Sequence, residues 1–150
     1  MPGDARMARM IRRIRETLTE VAEAAAAAEA LCAEAGADEG QSLRIGLALD
    51  ELAANALVHG AVREEAPDIL IEVWVDEAEL NLRVSARGPR FDPLEAREDR
   101  EAFDIGGRGL TMVLAFAERL TYERDGERNV TTFTVAKRAE PEVECGEDRA

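Results

Sequence analysis

The sequence predicts an α+β fold, a two-layer sandwich with helices on one side and hairpin-linked strands on the other. Three observations lead there. Residues 20–35 are saturated with alanine, the best helix former, and the run breaks at Gly36. Residues 41–59 carry apolar side chains at helical spacing. From residue 69 onward the pattern changes to short apolar runs separated by acidic or glycine-containing turns.

Taken in order, Thr19 is placed to cap the first helix. Upstream of it two readings stay open. Met7, Ile11, Ile14, Leu18 and Val21 follow a 4-3-4-3 spacing that extends the helix backwards, whereas Thr17 and Thr19 suit a strand equally well. A second helix runs from about Gln41 to His59. Strands follow at about Ile69–Val75 and Leu80–Ala86, joined by the acidic turn Asp76-Glu77-Ala78-Glu79. A third helix is expected from about Leu110 to Arg119. A strand at Arg119–Arg124 then pairs with one at Asn129–Lys137 through Asp125-Gly126, a hairpin turn signal. No internal repeat is visible.

Composition bounds the function. A chain of 150 residues is expected to form one domain. At that size folding buries roughly 68–70% of the unfolded surface, so no disulfide or metal staple is needed. Nineteen basic against thirty-two acidic residues leave a net charge of −13, which argues against general nucleic-acid binding, since that rests on Lys and Arg neutralising phosphates. Cys32 and Cys145 form neither a disulfide framework nor a metal cluster and suit a reducing cytoplasm. The N-terminus lacks the apolar core of a signal peptide, and no apolar run approaches the length of a membrane span. The charge is uneven. Arg6, Arg9, Arg12, Arg13 and Arg15 crowd the start, as a solvated face or a partner-docking surface. Glu140, Glu142, Glu144, Glu147 and Asp148 crowd the end. The domain is therefore expected over residues 1–138, and residues 139–150 are expected to be an acidic, disordered tail.

The chemistry concentrates in two places. The helix LRIGLALDELAANALVHGA has apolar residues around nearly its whole circumference, which predicts burial. Glu51, Asn55 and His59 nevertheless recur every four residues and share one face, with Asp50 beside them. A carboxylate in that setting needs a partner, water or a cation. The stripe therefore lines a cavity or is satisfied by other side chains: an arginine for Glu51, a structural hydrogen bond for Asn55, the last helical carbonyls for His59. The second place is the pair of segments ARGPRFDP (86–93) and GGRGL (106–110). Gly106, Gly107 and Gly109 precede an apolar helical pattern, where free backbone N–H groups can face an anion, although glycines also mark plain turns. Between the two segments, Pro93 to Ile105 is long and polar for a connection, as in a functional lid or a linker.

These three segments, in this order and spacing, resemble the GHKL (Bergerat-fold) ATPases, and in particular the bacterial anti-sigma-factor serine-protein kinases. LALDELAANALVHG is similar to their N-box, and FDPLEA followed by IGGRGLTMVLAFAERLTYERDGERNV is characteristic of the subgroup. The likeness runs from about Ile14 to Lys137. It implies a mostly antiparallel sheet with helices on one face. It also implies ATP and Mg²⁺ as cofactors, with Asn55 as the Mg²⁺ ligand and Glu51 as the general base toward a substrate serine. Gly107 and Gly109 match the phosphate-facing glycines, with Arg108 an added phosphate contact. Gly88 matches the first glycine box beneath the base, and Thr131 lies near the threonine that supports it.

The resemblance breaks at one point. Where the family has an Asp that receives the adenine amino group, this chain has Ala86, followed by Arg87; the box's second glycine is replaced by Pro89 or Arg90. A hydrogen bond to a charged group contributes about 1.5–3 kcal/mol, so its loss predicts roughly 10- to 200-fold weaker nucleotide binding. Arg87 is expected to compensate in part by contacting phosphate. The resemblance implies a cytoplasmic serine/threonine kinase in a partner-switching pathway. Its partners would be a sigma factor or other regulator and a STAS-domain anti-anti-sigma protein, with a homodimer as a further expectation. No direct nucleic-acid or membrane partner is expected. The alternative is a catalytically inactive binding module on the same scaffold, sequestering a partner without nucleotide.

Overall fold

A computed structural model of the chain describes residues 8–15, 17–59, 68–96, 113 and 115–139. It is the expected two-layer α+β sandwich: strand β1 (Ala8–Ile14), helices α1 (Leu18–Glu34) and α2 (Glu39–His59), strands β2 (Ile69–Val75) and β3 (Glu79–Arg87), a single turn α3 (Pro93–Ala96), then β4 (Arg119–Asp125) and β5 (Arg128–Ala136). The five strands form one sheet in the order β1-β2-β3-β5-β4, and every neighbouring pair is antiparallel.

The ambiguous stretch before α1 is a strand that stops at Ile14, with the helix starting only at Leu18. The N-cap is Thr17 rather than Thr19. The Thr17 hydroxyl accepts from the Glu20 backbone N–H at 3.3 Å, and the Glu20 carboxylate accepts from the Thr17 N–H at 2.9 Å. This reciprocal capping box satisfies two orphan donors of the first turn and anchors the change from extended to helical backbone. Thr17→Ala should therefore cost about 1 kcal/mol of stability, readable as a lower urea midpoint at unchanged slope. At the far end α1 stops at Gly36, whose φ of +96° lies where side chains other than glycine are disfavoured.

Strand alternation sets the core. Ile69, Ile71, Val73 and Val75 of β2, Leu80, Leu82, Val84 and Ala86 of β3, and Phe133 and Val135 of β5 are buried on the side facing the helices. They meet Val21, Ala24, Ala28 and Cys32 of α1 and Ile45, Ala48, Leu49, Leu52 and Ala53 of α2. The small residues of α1 let the two helices lie side by side on the sheet. Burial, with Glu29 adding to it, pushes the Cys32 thiol up to about 12, which makes it an inert packing group. The expectation that α2 is buried all round is corrected. Leu43, Leu47 and Val58 are exposed, because a helix on a single sheet turns one side outward.

Opposite the helices, Arg9 and Arg83 both pair with Glu72, and Arg83 stacks over Trp74 at 4.9 Å. Arg13 and Arg128 share Asp68, whose pKa is held below the usual carboxylate range first by the Arg128 hydrogen bond. Two arginines of the N-terminal cluster are thus engaged by the sheet's own carboxylates. The hairpin at Asp125-Gly126 forms as expected, and the Asp76 carboxylate closes the β2–β3 turn by accepting from the Ala78 and Glu79 N–H groups.

Between β3 and β4 the chain crosses from one end of the sheet to the other, leaving β5 inserted between two parallel strands. Residues 93–96, expected within a polar loop, form a helical turn. Of the expected third helix, residues 113, 115 and 116 are helical, and Arg119 already belongs to β4. Val113 is buried, and Phe116 packs against the core with Arg44 of α2 stacked on its ring. The acidic tail from Glu140 lies outside the described residues. Among the described residues, no helix is long and apolar enough to cross a membrane.

Candidate functional site

Four of the residues singled out in the sequence are brought toward one place, a hollow between α2 and the helix-facing side of β3 and β5. Asn55 and Thr131 line it directly, together with Ala86. Glu51 stands one turn before Asn55 on the same side of α2, and Gly88 opens the turn that follows Ala86. The position of His59 closes α2, but its side chain lies outside the described residues, as do Gly107, Arg108 and Gly109.

Asn55 is 8% exposed, and its Nδ2 is buried without a hydrogen-bond partner among the described residues. Native structures rarely leave a buried amide unsatisfied, since the desolvation cost is about 1–3 kcal/mol. Glu51 is half-buried, and no hydrogen bond or ion pair joins its carboxylate to the described residues, so the arginine partner that a structural reading requires is not found among them. Burial first, and then the neighbouring Asp50 charge, raise its pKa above the ordinary glutamate value.

The other walls are apolar: Leu52 and Ala56 from α2, Val84 and Ala86 from β3, and Phe91 and Pro93 from the segment after β3. The hollow is partly open to solvent, and Phe91 and Pro93 form the apolar wall farthest along the chain from α2. That wall is held by residues the sequence reading missed. The Asn129 side-chain oxygen accepts from the Phe91 N–H at 2.9 Å, the Tyr122 hydroxyl at 2.6 Å and Arg124 at 3.2 Å. Its Nδ2 donates to the Pro89 carbonyl at 2.8 Å. Arg124 also donates to the Gly88 carbonyl at 2.6 Å, and the Gly88 N–H donates to Glu127 at 3.0 Å. Gly88 has a φ of +153°, a conformation that glycine adopts without strain. The signal was present in the strand period: Asn129 is two residues before Thr131 and therefore shares its face.

The same alternation corrects the expectation for Arg87. Ala86 faces the hollow, so Arg87 points to the opposite side of the sheet, where it pairs with Glu127 at 2.9 Å. Arg90 stacks over Tyr122 at 5.5 Å and pairs with Glu95 at 3.1 Å. Neither cation lines the hollow.

A helical layer over an antiparallel sheet, with a polar stripe on α2 above a hollow floored by β3 and β5, defines a protein of the GHKL ATPase fold. The histidine kinase-like ATPase domain family matches residues 14–135. The serine-protein kinase RsbW of Listeria innocua is 30% identical over 105 residues, which cover 63% of this chain and 67% of that protein. The proteins of the same name from Listeria monocytogenes serotypes 4a and 4b are 29% identical over the same length and coverage. The chain belongs to the histidine kinase-like ATPase family, in its branch of anti-sigma-factor serine-protein kinases.

At the level of the family, membership implies ATP and Mg²⁺. The residues present fit that group at the metal end, where the Asn55 side chain makes no hydrogen bond with the described residues, which leaves its Oδ1 free to ligate a hard cation, and the Glu51 carboxylate has no partner among them either. At the base end the walls suit a flat apolar ring, but no carboxylate is among the described lining residues.

Proposed function

We propose that this chain is an anti-sigma-factor-type serine/threonine protein kinase of a partner-switching pathway. In one state it holds a sigma factor or another regulator. In the other it phosphorylates a serine of a STAS-domain antagonist with Mg-ATP, and a homodimer is compatible with either state. The observation that carries this reading is the buried Asn55 side chain, whose oxygen and nitrogen make no hydrogen bond with the described residues, with the Glu51 carboxylate one turn away and also without a partner among them. Asn55 would hold the Mg²⁺, and that ion supplies charge neutralisation across the phosphates. Glu51 orients the incoming serine hydroxyl and accepts its proton. Its burial suits it to that task, because a raised pKa brings a carboxylate closer to the operating pH of a general base. Gly88, Gly107, Arg108, Gly109 and Thr131 complete the nucleotide-binding set in this reading.

The test is phosphotransfer: the purified chain, labelled Mg-ATP and a STAS-domain protein should yield phosphoserine on the latter. The pH profile adds a second check. A base works only when deprotonated, so the rate should fall as pH falls through the Glu51 pKa, at a pH above the ordinary glutamate value. Asp50→Asn removes a raising charge and should move that acid limb to lower pH; an unmoved limb would assign it to another group.

A second reading, a non-catalytic module that sequesters its partner without nucleotide, is favoured by one observation: Ala86 stands where the family has its base-reading carboxylate, and no carboxylate is among the described lining residues. It predicts partner affinity indifferent to Mg-ATP. A severalfold change on adding nucleotide would rule it out.

A further inference from the structure

The paired register of β3 and β5 ends at Arg87, and residues 88–92 belong neither to β3 nor to α3. Phe91 lies in this stretch and Pro93 follows it, and both line the hollow. Side chains of the β4–β5 hairpin hold the stretch. Asn129 grips it at two points: its Oδ1 accepts from the Phe91 N–H at 2.9 Å, and its Nδ2 donates to the Pro89 carbonyl at 2.8 Å. An amide suits this task, because it alone offers an acceptor and a donor side by side to one run of backbone. Tyr122 and Arg124 donate to the same oxygen, which fixes the orientation of the amide, and Arg124 adds a bond to the Gly88 carbonyl at 2.6 Å. Asn129 itself is 7% exposed and lines the hollow.

Such a grip acts on binding through the free protein. A wall that must be ordered when a ligand arrives costs affinity. The apparent dissociation constant rises by the inverse of the fraction of molecules whose wall is already seated. Loss of one neutral hydrogen bond changes that fraction by about two- to tenfold.

We infer that Asn129 is a positioning residue of this site: it seats the Gly88–Phe91 stretch so that the apolar wall stands ready for the base of a nucleotide. This rests on the reading of the hollow as a nucleotide site. Asn129 acts at the base end, through Phe91, whereas Asn55 serves the metal end. Its contribution is therefore the same for ATP and ADP, does not depend on Mg²⁺, and falls on affinity rather than on phosphoryl transfer.

Calorimetric titration of the intact chain with Mg-ATP, Mg-free ATP and ADP tests it, beside phosphotransfer kinetics on a STAS-domain protein. Asn129→Ala removes both grips and should raise all three dissociation constants together, by about tenfold or more. The KM for ATP should rise in step while kcat at saturation holds. Asn129→Asp keeps an acceptor for all three donors and loses the bond to Pro89, so it should weaken each nucleotide by about two- to tenfold. Asn81 provides the comparison, a buried asparagine that accepts from the Thr134 hydroxyl at 2.9 Å on the sheet face turned away from the helices. Asn81→Ala should lower the melting temperature and leave the dissociation constants within about twofold of wild type. Unchanged or tighter binding by Asn129→Ala, a loss confined to the Mg²⁺-dependent part, or an equal loss in Asn81→Ala overturns the inference and leaves the kinase reading standing. Failure of the wild-type chain to bind nucleotide at millimolar concentration overturns both. Asn129→Ala strands the Tyr122 hydroxyl and can fail on folding grounds. The Asn129→Asp titration then decides the matter, and binding equal to wild type overturns the inference.

Discussion

Glu51→Ala should abolish serine phosphotransfer, a fall of about 10²–10⁴-fold for removal of a general base, and leave the melting temperature and the partner complex intact. The expectation of an intact fold follows from the surroundings of the carboxylate. No hydrogen bond or ion pair ties it to the described residues, so its loss leaves no partner stranded among them. Its pKa in the fold is raised, by burial and then by Asp50. Ionising it therefore removes stability as pH rises through that raised value, and its absence at neutral pH costs the fold nothing. Phosphotransfer assayed beside thermal denaturation separates the two effects. Undiminished transfer would remove Glu51 from the role of base, and a sharply lower melting temperature would make it a structural residue.

Asn55→Leu should move stability and binding in opposite directions. The leucine replaces a buried amide whose Nδ2 has no partner among the described residues, beside the apolar Leu52, Ala56 and Val84. Relief of that desolvation should add about 1 kcal/mol, or roughly 3 °C in a domain of this size. The Mg²⁺-dependent part of nucleotide binding should disappear, because a leucine has no atom to ligate a hard cation. A residue kept against the stability of its own fold is one retained for function. If the variant instead melts earlier, Asn55 is a structural hydrogen bonder whose partner forms in solution.

Much of the fold was legible because alternation and turn chemistry are local. β2 was placed to the residue, and β3, β4 and β5 to within one, since apolar residues repeat every second position between Asx and glycine turns. The stretch before α1 was not legible from apolar spacing. Arg12 occupies a core-side position in β1, so the alternation breaks there, as edge strands allow. The capping box was nonetheless written in the sequence as Thr17-Leu18-Thr19-Glu20, a threonine followed three residues later by glutamate. Taking Thr19 as the cap missed the reciprocal partner that makes Thr17 the better choice.

The site divides in the same way. Glu51 and Asn55 were legible because a spacing of four residues places two side chains on one helical face. Gly88 and Thr131 came from the resemblance. Asn129 was beyond reach of local patterning in its actual role. That role depends on the β3–β5 register, which sets Ala86 opposite Asn129 across 129 − 86 = 43 positions of chain, and on Tyr122 and Arg124 arriving from a third strand. Arg87 could have been placed correctly from alternation alone, since a residue adjacent to one that faces the hollow faces away from it.

The insertion of β5 between β3 and β4 governs the order in which the protein can be made. A ribosome delivers β1, β2 and β3 first, and these can zip together as neighbours. β4, however, emerges with nowhere to pair, because its partner is still to be synthesised. Until the residues of β5 arrive, β3 presents a bare edge of unpaired peptide groups and the core lacks Phe133 and Val135. Completion of the sheet therefore waits on β5, which pairs with β4 across the Asp125-Gly126 turn and joins that hairpin to the edge of β3. The half-made domain exposes apolar surface, and the step that covers it is the same one that floors the hollow with Asn129 and Thr131.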